Sequence, residues 1–171
     1  MSSRPTREGE GSEPGVGQHA PPSHVPWPPI LFLAAILAGW MMQRLLPLAW
    51  PGLNDTPAKA VGWGFVVGGF GIAGWALLTM LRGSGEFRPH APATVLITRG
   101  PYRVLRNPMY LGYAMILLGL ADAAQNVWIA IMTPVFAAAV TWLAILPEER
   151  HLAAKFGDAW YTYKAGTRRW I

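Results

Sequence analysis

The chain has 171 residues, enough for one domain, with 52% hydrophobic residues, 13% charged residues and nine tryptophans, a balance that suits a membrane better than water. It contains no cysteine, which excludes disulfides, thiolate metal sites, a cysteine nucleophile and S-acylation. The formal charge of +5 comes from basic residues that flank apolar runs, so anionic lipid headgroups and not nucleic acid are the expected counter-charge.

Residues 1–29 are rich in Pro, Gly and Ser and hold no apolar run, which predicts a disordered N-terminal tail. They lack the positive start and apolar core of a cleavable signal. Residues 30–50 form a first apolar stretch of the roughly 20 residues that a helix needs to cross a bilayer. Within it Arg44 is expected to reach for the headgroups, and Pro47 to kink or end the helix. Residues 60–81 form a second stretch. Its glycines include a Gly64-x-x-x-Gly68 spacing, which predicts close approach of another helix. A third helix is expected over 108–124, and Asp122 and Asn126 bracket a tight turn after it. A fourth follows over 127–146, with a kink at Pro134. Beyond it, Leu152, Phe156, Trp160 and Tyr163 recur at helical spacing and predict an amphipathic interfacial helix over about 148–165. The fold class expected is therefore an all-α polytopic membrane protein, with about four transmembrane helices and a membrane domain over 30–171.

Charge sets the orientation. Five arginines (82, 88, 99, 103 and 106) lie between the second and third stretches, and Arg150, Lys155, Lys164, Arg168 and Arg169 follow the fourth, together ten of the fourteen basic residues. With four spans both groups fall on one side, which the positive-inside rule makes cytoplasmic. The expected location is the plasma membrane of a prokaryote.

The third and fourth spans form a hairpin, so their cytosolic ends should meet. One end offers Arg99, Tyr102, Arg103, Arg106, Asn107 and Tyr110; the other offers Glu148, Glu149, Arg150 and His151. Such a mixture could bind a charged cofactor. Plain structural readings exist beside this one. Asn107-Pro108 has the form of an N-cap and first helical residue, Pro147-Glu148-Glu149 that of a helix start with two carboxylates favoured by the dipole, and any single arginine could be a topology marker. Glu148-x-x-His151 has the spacing of half a di-iron site, but no second copy exists, and no metal is expected. Nor is there a glycine-rich phosphate loop.

The run Thr98-Arg-Gly-Pro-Tyr-Arg-Val-Leu-Arg-Asn-Pro-Met-Tyr-Leu-Gly112, followed by Pro147-Glu-Glu-Arg-His-Leu, Phe156-Gly157 and Trp160-Tyr161-x-Tyr163, resembles the isoprenylcysteine carboxyl methyltransferase family and the related phospholipid methyltransferases. The likeness extends from near Gly85 to Trp170; the first two spans agree in character alone. It implies S-adenosylmethionine as cofactor, bound at the cytosolic membrane surface. Carried over by position, it implies Tyr102, Arg106, Asn107, Pro108, Tyr110, Gly112, Glu148 and Glu149 as cofactor-binding residues, and Arg103, Arg106 and Glu148 as the catalytic set. The departure is Asn107, where the better-known eukaryotic members carry histidine. Asparagine cannot titrate, which leaves binding or capping roles.

The implied reaction is an in-line displacement at the sulfonium methyl, which asks the protein mainly to position two reactants. A carboxylate with a pKa of about 4 is already ionised, whereas a protonated amine needs a base, and no obvious base is present. The expected acceptor is therefore a carboxylate on a lipophilic small molecule, a lipid or a lipidated protein. Two alternatives stay open: an NADPH-dependent membrane reductase, whose C-terminal helices are similar, and a membrane scaffold without turnover. The oligomeric state is also open.

Overall fold

The computed structural model describes residues 27–52, 55–84 and 95–171. The tail expected over 1–29 lies outside the described residues, except for its last three, which open the first helix. In chain order the elements are α1 (Trp27–Leu45), α2 (Thr56–Ser84), a 3-10 turn (Gly100–Arg103), α3 (Pro108–Ala123), α4 (Val127–Val140), a π-helical turn (Thr141–Ile145), α5 (Leu146–Phe156) and α6 (Asp158–Ala165). Among the described residues the β-structure amounts to one isolated bridge, between Leu105 and Arg168.

Three helical runs are long and apolar enough to cross a membrane: Trp27–Leu45, Thr56–Gly83 and Val127–Phe156. Pro108–Ala123 is apolar but shorter, about 24 Å at 1.5 Å per residue, against a hydrocarbon core of about 30 Å. Large apolar side chains such as Leu33, Leu37, Trp63, Val67, Phe70 and Trp142 lie exposed along these helices, where lipid is the solvent that accepts them.

The first helix is offset from its expected bounds. It starts at Trp27, because Pro28 and Pro29 fit a first turn, and stops at Leu45 instead of residue 50, because Pro47 disfavours helical backbone at the residue before it. Arg44 lies over the Trp40 ring, 5.3 Å from its centroid. The second helix opens early because Asp55 caps it, Oδ1 accepting from the Ala58 N–H at 2.9 Å.

The glycines of α2 work differently from the expected Gly64-x-x-x-Gly68 contact. A Cβ on Gly64 would meet nothing within 4 Å, and one on Gly68 would meet only the Met115 methyl. The close approach runs through Gly62 and Gly69. A Cβ on Gly69 would stand 2.6 Å from the Gly112 carbonyl oxygen, and one on Gly112 would stand 2.6 Å from that of Gly69. Gly119 faces Gly62, a Cβ on Gly119 meeting the Gly62 carbonyl at 2.5 Å, while a Cβ on Gly62 would run into the Asp122 side chain. Two glycine pairs seven residues apart thus bring the antiparallel backbones of α2 and α3 together.

On the other flank α1 packs antiparallel to α4. Phe32, Tyr113 and Phe136 join α1, α3 and α4 through ring contacts at 5.2, 6.4 and 6.5 Å. Leu117, Ile129, Val140 and Ile145 fill the core around them. Asn126 makes the hairpin turn tight: its Oδ1 accepts from the N–H groups of Trp128 and Ile129, and its Nδ2 donates to the Gly39 carbonyl of α1.

The helix of the fourth span runs on past the end of its apolar stretch at Leu146. It continues without a break to Phe156, through the π-helical turn at Thr141–Ile145. Pro147 supplies the reason, since it has no N–H for the carbonyl of residue 143 and its ring would collide with it. One widened turn, in which the Leu146 N–H bonds to the Thr141 carbonyl, absorbs the conflict. The expected interfacial helix is itself divided. Gly157, at φ 50° and ψ −126°, breaks it into α5 and α6. Trp160, expected on the apolar face of that interfacial helix, is 2% exposed and packs inside against Tyr163 at 5.7 Å.

Candidate functional site

The hairpin carries residues 106 and 149 to the same end of the bundle, where the Arg106 Nε donates to Glu149 Oε1 at 3.2 Å. Gly100, at φ 60°, turns the chain over α2 and delivers the 3-10 turn with Tyr102 and Arg103 beside them. After α6 the chain runs back extended along residues 104–106: the Arg168 N–H donates to the Val104 carbonyl at 3.0 Å, and the Arg106 N–H donates to the Arg168 carbonyl at 2.8 Å.

This returning segment determines what each expected site residue does. Arg106 points inward, with its side chain 10% exposed. Its Nη1 donates to the carbonyls of Lys164 and Thr167 and to the Thr167 hydroxyl. Asn107 holds the N-cap position of α3 but makes no capping bond with its side chain; its Nδ2 donates instead to the Arg169 carbonyl at 3.2 Å. Pro108 opens α3 and is buried, and the absent side chain of Gly112 is used by α2. Glu149, also 10% exposed, receives a second guanidinium: Arg169 Nε donates to Oε1 at 3.0 Å and Nη2 to Oε2 at 2.7 Å. Burial alone would raise the Glu149 carboxyl. The hydrogen bonds and charge of Arg169, and then of Arg106, outweigh it and hold the group below its ordinary value. The bond to Glu149 correspondingly raises Arg169.

Glu148 is placed differently. It lies just past the apolar stretch that ends at Leu146, it is exposed, among the described residues it forms no ion pair, and the atoms packed around its carboxyl, reinforced by the Glu149 charge, push that group up to about 6. Its charge is felt by the hydroxyl groups of Tyr102, Tyr110 and Tyr163. Burial, reinforced by Glu148, pushes Tyr102 above its ordinary range, and burial together with Glu148 pushes Tyr163 up to about 12 against the opposing charge of Arg106. Both stay protonated at neutral pH. The Tyr163 hydroxyl donates to the Tyr102 carbonyl at 2.8 Å and so ties α6 to the 3-10 turn. Arg103 is exposed and, like Glu148, forms no ion pair among the described residues.

The two adjacent glutamates therefore separate, one locked between guanidiniums and the other open beside tyrosine hydroxyls. The sequence alone placed Arg169 among topology charges and Tyr163 on the apolar face of an interfacial helix, and gave no signal for Thr167. Thr167 and Arg169 lie beyond the helical periodicity, in irregular chain after α6 where no repeating pattern announces a paired segment.

Apolar helices exposed along their length, with a polar cluster gathered at one end, are the form of a helical membrane protein. The sequence pattern of the phospholipid methyltransferase family matches residues 58–159, and the chain belongs to this family of integral membrane methyltransferases. The match begins further upstream than the expected likeness, taking in α2, and stops at Ala159, before the segment that carries Thr167 and Arg169. No curated protein and no solved structure matches the chain.

Proposed function

We propose that the protein transfers a methyl group from S-adenosylmethionine to a lipophilic acceptor where the membrane meets the cytosol, and that the accepting atom is a carboxylate oxygen. Glu148 is the observation that carries this reading. In a chain of methyltransferase lineage, it is an exposed carboxylate without an ion-pair partner among the described residues, at the end of an apolar helix and beside tyrosine hydroxyls.

The residues present fit the cofactor's charges. Glu148 offers a carboxylate for an amino group, and Arg103 offers an uncommitted guanidinium for a carboxylate. When bound, the cofactor supplies a methyl group activated on a positively charged sulfur. Tyr102, held protonated, offers a neutral hydrogen-bond donor, and Tyr163, whose hydroxyl is spent on the Tyr102 carbonyl, likewise stays neutral, so no second negative charge develops near Glu148. Arg106, Asn107 and Glu149 bind one another and the returning segment, and in this reading they position the ligand-facing groups instead of touching the ligand. A carboxylate acceptor arrives ionised and requires no proton removal, so orientation and exclusion of water are the protein's remaining tasks.

The family's description favours a second acceptor, a phospholipid amine. The products separate the two. A methyl ester releases methanol in mild base, whereas an N-methyl group is stable, so labelled methyl incorporated from vesicles containing a lipophilic acid or phosphatidylethanolamine identifies the accepting atom. The test of the reading as a whole is calorimetry on purified protein in detergent. S-adenosylhomocysteine is expected to bind; binding of NADPH alone would replace this reading with the reductase, and binding of neither would favour the scaffold.

A further inference from the structure

We infer that Arg169 is a positioning residue of the site: it locks Glu149 inward and thereby assigns Glu148 the outward, ligand-facing role. The inference rests on the proposed methyltransferase reading and concerns a segment beyond the family match, which stops at Ala159.

Three observations support it. First, Arg169 holds both oxygens of Glu149, while Arg106 reaches only Oε1 and spends Nη1 on Lys164 and Thr167. Arg169 thus determines how the carboxylate is turned. Second, successive residues of a helix are rotated by about 100°, so a side chain pinned at position 149 fixes the direction in which position 148 points. Third, the same segment holds the surroundings. The Arg169 carbonyl takes the Asn107 amide, Arg168 pairs with Val104 and Arg106, and the Thr167 hydroxyl donates to the Tyr163 carbonyl at 2.7 Å, behind the ring whose hydroxyl holds Tyr102.

Without Arg169, the nearly buried Glu149 would keep one guanidinium for two oxygens. Two neighbouring carboxylates would then compete for the same cationic ligand group. The tail is a wall of the site and not a competitor for it, which fixes the sign of the effect: loosening the tail weakens ligand binding.

The experiment measures S-adenosylhomocysteine affinity by calorimetry for the full-length protein, Arg169→Ala and Arg169→Lys, with helix content followed by circular dichroism. Arg169→Ala is expected to bind about tenfold or more weakly, the scale of a charge-assisted hydrogen bond. Arg169→Lys keeps the charge but loses the fork, and should fall between the two. The acid limit of thermal stability should also move to higher pH in Arg169→Ala, because Glu149 loses its main stabilising partner, a change that loosened packing alone would not produce. Equal or tighter binding by folded Arg169→Ala overturns the inference, tighter binding marking the tail as a competitor. If Arg169→Ala does not fold, Arg169→Lys decides, and affinity equal to that of the unaltered chain overturns the inference. Failure of the unaltered chain to bind removes the methyltransferase reading itself, and this assignment with it.

Discussion

Arg169 grips Glu149 through both carboxylate oxygens, Nε to Oε1 at 3.0 Å and Nη2 to Oε2 at 2.7 Å, across nineteen intervening residues that include the whole of α6. The contact closes a loop around the polar end of the bundle. It also makes Glu149 and Glu148 unequal, although they are adjacent and chemically identical, and the first prediction follows from that inequality.

Glu148→Gln and Glu149→Gln should separate ligand binding from stability. Glu148→Gln removes a charge that burial and Glu149 disfavour and that no described residue neutralises, so the thermal midpoint should hold or rise while S-adenosylhomocysteine affinity falls by about tenfold or more. Glu149→Gln leaves two guanidiniums facing a neutral amide and should cost on the order of 3 kcal/mol of stability, the scale for breaking a largely buried pair. Calorimetry and thermal unfolding on the same preparations check both. Equal effects of the two substitutions on both measurements would erase the distinction.

Acid should release the returning segment. Arg169 and Arg106 hold the folded-state Glu149 carboxyl below its ordinary value of 4.5. Such a group contributes stability that is present above that value and is lost as pH falls through the lower, folded-state one. Glu148, raised to about 6, opposes this by easing its own burial as it protonates, so thermal midpoints should hold or rise slightly from pH 7 to about 5 and decline below about 4.5, and the decline should be weaker in Glu149→Gln.

The glycines of α2 should divide sharply. Gly69→Ala forces a methyl to within 2.6 Å of the Gly112 carbonyl oxygen, whereas Gly64→Ala meets nothing within 4 Å. The first should destabilise by about 1–3 kcal/mol, as overpacking does, and the second should be neutral or slightly stabilising through helix propensity. Unfolding in mixed detergent micelles measures each.

Topology is tested with reporters. The four-span arrangement with basic segments inside predicts activity of a cytosolic reporter fused after Ile171 and of an exported reporter fused after Gly52. The reverse pattern would move the site to the other face.

Much of the architecture was legible because a bilayer demands long apolar runs, and long apolar runs are visible in one dimension. The runs behind α1, α2 and the helix beginning at Val127 were recognised, and Asn126 at the hairpin turn was marked by its polarity between two apolar stretches. The ends were less legible. Pro47 shortened α1, while Pro147, which suggests a break in sequence, is carried through a continuous helix by one π-helical turn. A proline announces a missing N–H and a steric demand, but whether the helix stops or widens depends on what packs around it.

The chemistry divides along the same line. The sequence by itself determined that polar groups would gather at one end of the bundle, since Arg106 and Glu149 flank the two arms of a short hairpin and have nowhere else to meet. It also carried the family pattern. Only the tertiary structure decided which of two adjacent glutamates is locked and which is not, that Asn107 binds the last segment instead of capping α3, that Gly112 serves helix packing, and that Arg169 grips Glu149. The reason is physical. Burial and charge are set by neighbours in space, and the partner of Glu149 arrives on irregular chain that carries no repeating pattern, after a turn at Gly157 that only the folded chain discloses.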